Sequence, residues 1–155
     1  MELYIKMANK LFLVLYLLAF ISCETIVFDV NTETNSNNAF SVKKGQRFKL
    51  RLHGNPTTGY SWFLLNKDSL ASSKFVSNVD TNEDGTAGGY VPAATANNNG
   101  FGFGLGMVGS GGDFYYTFEA GDRTSEPVEL LFSYQRPWQK TNDDPNATSV
   151  KITVE

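Results

Sequence analysis

Apolar residues recur at every second position along most of this chain, and this period constrains the fold more than any other feature. One stripe contains Phe48, Leu50 and Leu52, with charged residues between them. The other stripes follow the same rule: Ile26, Phe28 and Val30; Tyr60, Trp62 and Leu64; a weaker one within residues 74–79; Phe114, Tyr116 and Phe118; Val128, Leu130, Phe132 and Tyr134; and Val150, Ile152 and Val154. Such alternation is typical of β-strands with one face on a core and the other in water.

Helical periodicity does not extend beyond a turn or two, and only residues 66–71 are compatible with one short helical turn. The sequence therefore predicts an all-β fold, an immunoglobulin-like antiparallel β-sandwich of about seven to eight strands. We name the predicted strands A to G in chain order. With no pair of cysteines, the domain has to be stabilised by its core, which a chain of this size allows.

The first 23 residues are predicted to be a signal peptide that precedes the folded domain, residues 24–155. After a positively charged start, the apolar run at residues 11–21 is shorter than the roughly 20 residues that span a membrane, and small residues follow it. Cleavage after Cys23 sends the domain into the secretory pathway, for secretion or for lysosome- or phagosome-like vesicles. The alternatives are cleavage before Cys23 with lipidation of that residue, and a retained membrane anchor. Export also makes Asn146, in an Asn-Ala-Thr sequence, a candidate for N-glycosylation.

Charge and composition argue against nucleic acid binding and against catalysis. The chain has 13 Lys and Arg against 16 Asp and Glu, and no basic stripe that could neutralise a phosphate backbone. Its single histidine, His53, is predicted on the outward face of strand B, and its single cysteine leaves with the signal peptide. These residues cannot assemble a nucleophile with its base or a zinc ligand set, so we expect no enzyme, no metal and no cofactor. Asp143 and Asp144 are adjacent in a predicted loop and are interpreted as solvated charges.

Strand parity predicts where the loops lie. If consecutive strands are antiparallel, every second connection emerges at the same end of the sandwich. The B–C loop (residues 55–60), the D–E loop (80–112) and the F–G loop (136–147) then share one end. The A–B connection (31–45), the C–D connection and the turn at 121–126 lie at the other end. Binding functions concentrate on loops held by a rigid scaffold, and the first end collects the Pro, Gly and aromatic loop residues.

Each loop at the first end contains a short motif with two interpretations. In the B–C loop, Pro56 fixes its own φ and Gly59 can take a positive φ, which predicts a stiff turn that either binds a partner or is only a well-made turn. In the D–E loop, GSGG is either a flexible hinge or backbone that can lie close against a partner. In the F–G loop, Pro137 ends strand F and leaves Trp138 either as an interface anchor or folded back on the sandwich edge. The motif residues are Asn55, Pro56, Thr57, Thr58, Gly59 and Tyr60; Gly109, Ser110, Gly111 and Gly112; and Arg136, Pro137 and Trp138.

These three motifs, in this order, resemble those of the chagasin family of cysteine-peptidase inhibitors, and the exported amoebic members, the amoebiasins, are particularly similar. NPTTGY resembles the family's N-P-T-T-G-aromatic loop, GSGG its G-x-G-G loop and RPW its R-P-W loop. The resemblance covers essentially all of residues 24–155. One departure is a longer D–E loop, whose insert over residues 84–105 contains Phe101 and Phe103.

The resemblance implies a reversible, competitive protein inhibitor of papain-like (cathepsin-like) cysteine proteases, acting as a monomer and away from membranes once the signal peptide is removed. By analogy, Thr57 and Thr58 lie over the catalytic cysteine and histidine of the protease. Residues 109–112 line one side of its cleft through their backbone, and Trp138 with Arg136 grips the other side. The alternative is an immunoglobulin-like adhesion or carbohydrate-binding module, which requires aromatic residues on a flat sheet face.

Overall fold

A computed structural model of the protein describes residues 24–33, 36–93 and 111–155. The predicted signal peptide and the tip of the D–E loop, with its residues Gly109 and Ser110, lie outside the described residues. Among the described residues, no helix is long and apolar enough to cross a membrane. The described elements are β1 (Ile26–Asp29), β2 (Asn38–Val42), β3 (Arg47–Gly54), β4 (Ser61–Leu64), α1 (Lys67–Ala71), β5 (Val76–Asp80), β6 (Gly89–Pro92), β7 (Gly112–Ala120), β8 (Val128–Gln135) and β9 (Thr148–Val154).

The strands form two sheets that face each other across the core, which confirms the predicted all-β sandwich. One sheet has the order β1-β3-β7-β5, with β6 also paired to β7, and the other has the order β2-β9-β8-β4. Strand β7 is the centre of the first sheet, and its antiparallel pairing with β3 runs from Arg47 opposite Glu119 to Gly54 opposite Gly112. In the second sheet, β8 lies between β4 and β9 and is antiparallel to both.

The core contains most of the predicted apolar stripes, but Ile26 of the first stripe and Phe75 and Val79 of the weaker stripe within residues 74–79 are exposed. The Phe48 and Phe118 rings stack with centroids 5.5 Å apart on adjacent strands, and the Tyr116 ring meets Phe132 of the opposite sheet edge-on at 4.9 Å. The buried Tyr116 hydroxyl donates to the carbonyl of Trp62 at 2.7 Å, and burial raises the pKa of this phenol. Full burial of each large apolar side chain stabilises the fold by about 1.5–3 kcal/mol. The sandwich is therefore a rigid support for its loops.

Strand β2 is a difference from the prediction, which treated residues 31–45 as one connection at the far end. Its inward residues Asn38, Phe40 and Val42 alternate correctly, but the Asn- and Ser-rich segment before it obscures the stripe. Strand β1 belongs to the first sheet and β2 to the second, so the chain crosses between the sheets before β2. Because β1 is parallel to β3 and β2 is parallel to β9, this crossover lies at the same end as the three loops. Of residues 31–45, only the turn from β2 to β3 lies at the far end.

Strand β6 is a second difference, because it lies in the segment predicted as the D–E loop. It extends the sheet edge of β7 beyond β5, with Gly89 opposite Tyr115 and Pro92 opposite Gly112. The Tyr90 ring packs on Phe114 at 4.8 Å between centroids. Only four residues long and bounded by glycine and proline, β6 has too short a pattern for periodicity to detect.

Candidate functional site

The described parts of the three motif loops leave the sandwich at one end, as strand parity predicts. Gly54, at the start of the B–C loop, is paired with Gly112, where the D–E loop returns to the sheet. Ser61, just after the B–C loop, is paired with Gln135, just before the F–G loop. The pairing of the strands therefore fixes the relative positions of the bases of the three loops.

The B–C loop is a single turn of 3-10 helix, Pro56–Thr58, closed by its own side chains. The Asn55 side-chain oxygen accepts from the Thr57 N–H at 3.1 Å and from the Thr57 hydroxyl at 2.6 Å, and the Thr58 hydroxyl donates to the Asn55 carbonyl at 2.6 Å. Gly59 ends the turn with a φ of 79°, a left-handed conformation that favours glycine. Thr57 and Thr58 are exposed, while both hydroxyl protons are used inside the turn. The turn is stiff without help from a partner.

An aromatic cluster supports the B–C turn from below. The Tyr134 hydroxyl accepts from the Asn55 N–H at 2.6 Å, and the Tyr134 ring lies 5.3 Å from that of Tyr60 and 5.1 Å from that of Trp62. The Trp62 indole N–H donates to the His53 carbonyl at 2.9 Å. With 5% of its surface exposed, Trp62 belongs to the core, as predicted.

The described part of the D–E motif consists of Gly111 and Gly112, and both are glycine for a packing reason. A Cβ atom on Gly111 would lie 2.9 Å from the Gly54 carbonyl oxygen, and one on Gly112 would lie 2.5 Å from the Val91 carbonyl oxygen. The Ala93 N–H donates to the Gly111 carbonyl at 3.0 Å, which closes the base of the loop. The base of the D–E loop is therefore packed tightly against β3 and β6.

The F–G loop presents Trp138 to solvent. Pro137–Gln139 form a second 3-10 turn, and Trp138 is 70% exposed, so it does not fold back on the sandwich edge. A Cβ atom on Gly59 would lie 3.2 Å from the indole Cη2 of Trp138, so the indole borders the B–C turn. The Arg136 guanidinium lies 4.9 Å from the Tyr60 ring centroid and 5.8 Å from that of Trp138. Its Nε is buried and has no hydrogen-bond partner within the part of the chain that the structure describes.

The outward face of the first sheet carries charge rather than a catalytic group. His53 points outward, as predicted, with its side chain 70% exposed and its Nδ1 3.2 Å from an Asp113 carboxylate oxygen. Arg51 pairs with Asp29, whose carboxylate raises the pKa of the guanidinium. Exposed pairs of this kind contribute little to stability. No group of three His, Cys, Asp or Glu side chains that could hold a metal ion occurs among the described residues.

Several supporting residues near the RPW motif were not identified from the sequence. The interpretation of Asp144 as a solvated charge is wrong, because its carboxylate accepts hydrogen bonds from Ser133 and Gln135. The Ser133 hydroxyl is the strongest of the influences that lower the pKa of Asp144. Lys140 donates to the Asp84 carbonyl at 2.6 Å and so ties the F–G loop to the start of the D–E loop. In the sequence these are ordinary polar residues, and only their contacts distinguish them.

Comparison with known proteins identifies the family. The sequence model described as "Chagasin family peptidase inhibitor" matches residues 41–154, which is most of the chain. The chain belongs to the chagasin family. Its members are peptidase inhibitors, so this protein is an inhibitor rather than an enzyme, as predicted.

Relatives of this chagasin-family protein are found in Entamoeba histolytica. Amoebiasin-1 from that organism is 28% identical over 124 residues, which is 80% of this chain and 97% of Amoebiasin-1. A crystal structure of a cysteine protease inhibitor from Entamoeba histolytica matches with a TM-score of 0.51 at 14% identity, covering 85% of this chain and 98% of the other. That structural likeness shows that the fold is shared.

The candidate glycosylation site of this chagasin-family protein lies in the last part of the F–G loop, just before β9. Asn146 is exposed, and its backbone N–H donates to an Asp144 carboxylate oxygen at 2.9 Å. The sequence Asn55-Pro56-Thr57 is no second candidate, because proline in the middle position prevents glycosylation. Glycosylation of Asn146 stays a prediction, which peptide mapping of natively exported protein checks: an unmodified Asn146 contradicts it.

Proposed function

We propose that this protein is a reversible, tight-binding inhibitor of papain-like cysteine proteases that occludes their active-site cleft with the B–C, D–E and F–G loops. The observation that carries the proposal is that the exposed Trp138 indole lies beside Gly59, with no room for a Cβ atom between them without crowding, so that the stiff B–C turn and the indole form one surface. A large exposed indole is otherwise costly to leave in water, and Trp and Arg are the residues most enriched at interface hot spots.

Geometry supports a central role for the B–C turn in the cleft. Thr57 and Thr58 form its exposed tip, and we assign them the position over the catalytic cysteine and histidine of the protease. Residues 109–112 are assigned to one wall of the cleft, and Trp138 with Arg136 to the other. Because the turn is held by internal hydrogen bonds, little conformational entropy is lost on docking. Such an inhibitor acts as a monomer, and its predicted signal peptide assigns it to the secretory pathway.

Resistance to cleavage follows from the same turn. Residues 56–58 are coiled into a 3-10 turn and capped by Asn55 and Gly59, and such a turn is not the extended conformation in which a protease cleaves its substrates. The turn is therefore not cleaved while it occupies the cleft. Because the inhibitor stays intact, it can dissociate again, and inhibition is reversible.

The alternative, an adhesion or carbohydrate-binding module, requires aromatic rings on a flat sheet face. The outward face of the first sheet instead carries the ion pairs of Arg47 with Glu119 and of Arg51 with Asp29. The most exposed large apolar side chain among the described residues, Trp138, lies in a loop. The loop surface therefore favours the inhibitor.

Steady-state inhibition of papain by protein beginning at Glu24 tests this proposal. An interface of ordinary size, about 800 Å² per partner, is sufficient for a nanomolar inhibition constant. Mass spectrometry after overnight incubation should find the inhibitor intact. Lys44→Ala, at the opposite end of the sandwich, is the matched control and should inhibit like the wild type. The absence of inhibition at micromolar concentration, or rapid cleavage within residues 55–60, would contradict the proposal.

A further inference from the structure

We infer that Gln135 is a positioning residue for Trp138: its buried amide closes the base of the F–G loop and holds the indole in its binding orientation before a partner arrives. This inference rests on the proposed inhibitory function, but the loop closure itself can be measured without any protease.

Both ends of the Gln135 side-chain amide bind the same residue. Gln135 is 8% exposed, its Oε1 accepts from the Thr141 N–H at 2.7 Å, and its Nε2 donates to the Thr141 carbonyl at 3.0 Å. Pro137 prevents strand β8 from continuing, so the residues after it cannot form regular backbone pairs. The two bonds from the Gln135 side chain to Thr141 take the place of such pairs. The five residues between, 136–140, are thereby closed into a small ring that contains Trp138.

A second layer of hydrogen bonds fixes the Gln135 amide. Nε2 also donates to the Ser133 hydroxyl oxygen at 2.6 Å, and the Ser133 hydroxyl in turn donates to the Asp144 carboxylate. Asp144 accepts as well from the Asn146 N–H at 2.9 Å. Nε2 also lies 3.4 Å from the Asp144 carboxylate, so every polar group of the network has a partner. A fully satisfied network is rigid, whereas a partly satisfied one is costly. The network therefore clamps the loop at 141 and again at 144.

Contacts around the ring explain why its closure matters for the indole. Inside the ring, the Gln139 N–H donates to the Arg136 carbonyl at 2.9 Å. Outside it, Trp138 is exposed and borders Gly59. Little else of the described structure covers the indole, so the ring that contains Trp138 determines where it points. Without the Gln135 amide, the Thr141 N–H and carbonyl lose their partner, and the segment has to be ordered during binding, which weakens affinity.

Gln135→Met is the test, because it keeps the length of the side chain and removes its hydrogen bonds. We expect the inhibition constant against papain to rise by about tenfold, because part of the cost of ordering the loop is transferred to the binding step. Gln46→Met is the matched control, since the Gln46 side chain also accepts a backbone N–H, that of Lys43 at 3.0 Å, but lies at the opposite end of the sandwich, and it should change the constant by less than about twofold. In a Trp138→Ala background the effect of Gln135→Met should largely disappear, because Gln135 acts through that indole.

Hydrogen exchange supplies a readout that does not depend on the protease. The Thr141 amide should exchange slowly in the wild type and in Gln46→Met, and quickly in Gln135→Met. If Gln135→Met folds poorly, Thr141→Pro removes the same N–H from an exposed position, and Lys140 already has the extended backbone that precedes proline. Its inhibition constant should rise as well.

Two results would overturn the inference. One is an unchanged inhibition constant in a variant whose loop exchanges quickly. The other is an equal loss of affinity with and without Trp138, because Gln135 would then act on something else. If the wild type itself fails to inhibit while Thr141 remains protected, the proposed function fails and the loop closure stands.

Discussion

Two tryptophans of this chain illustrate how one residue type takes opposite roles at the residue scale. Trp62 is 5% exposed, packs on Tyr134 and satisfies its indole N–H with the His53 carbonyl. Trp138 is 70% exposed and lies beyond Pro137, where the core does not need it. The first is therefore a structural residue, and the second is available to a partner.

Truncation of each tryptophan should separate stability from binding. Trp62→Ala should cost about 3–5 kcal/mol of unfolding free energy, because it leaves a cavity and removes a satisfied donor. Trp138→Ala should barely change the urea midpoint but weaken binding to papain by roughly 2 kcal/mol, about thirtyfold in the inhibition constant. Urea melts and inhibition constants for both variants make the comparison. A Trp138→Ala protein that melts early and inhibits normally when folded would contradict the role assigned to the indole.

At the scale of elements, alternation and strand parity predict most of what positions the site. The period-two stripes identify the strands of the core, and parity places the B–C and F–G loops at one end, as the Ser61–Gln135 pairing confirms. Periodicity fails for β2 and β6, because a strand of four or five residues beside Asn, Gly or Pro has too few alternations. It also cannot reveal the network of Gln135, since a buried hydrogen bond to a backbone group leaves no pattern in the sequence.

The hydrogen-bonded carboxylate of Asp144 predicts how stability changes with pH. The Ser133 hydroxyl is the largest influence and lowers its pKa; desolvation opposes this, and the Asn146 N–H and the Gln135 amide lower it further. Because the folded-state pKa lies below the unfolded value of about 3.9, the carboxylate stabilises the fold fully above that pH. The stabilisation disappears as the pH falls through the folded-state pKa. The clamp of the F–G loop therefore persists at the pH of about 5 typical of acidic vesicles.

Asp144→Asn should lower the unfolding free energy at neutral pH and remove part of its decline below about pH 4. Asp143→Asn is the matched control, because Asp143 is the exposed neighbour in the same loop, and its profile should follow the wild type. Urea melts at a series of pH values from 7 to 3 provide the measurement. An Asp144→Asn profile parallel to the wild type throughout would refute the structural role of this carboxylate.

At the scale of the whole molecule, the sandwich core supplies a rigid scaffold, and the loops at one end of it supply the binding surface. The core side chains of β3, β7, β8 and β9 are almost completely buried, and they need no help from a disulfide, since the chain has a single cysteine. The loops at the site are stiffened separately, by the Asn55 cap and the Gln135 clamp. Preorganised loops on a rigid scaffold lose little entropy on docking, which agrees with an inhibitor that works by occupying a cleft.

Occlusion of the cleft is the central claim, and alkylation of the papain catalytic cysteine by iodoacetamide tests it most directly. That cysteine is a reactive thiolate, so its alkylation rate reports whether small reagents reach the cleft. With the protein in excess, the rate should fall in proportion to the fraction of papain that remains free, and Trp138→Ala at an equal concentration should protect less. If gel filtration shows papain bound while its cysteine is alkylated at the uninhibited rate, the protein covers another surface of the protease and the account is contradicted.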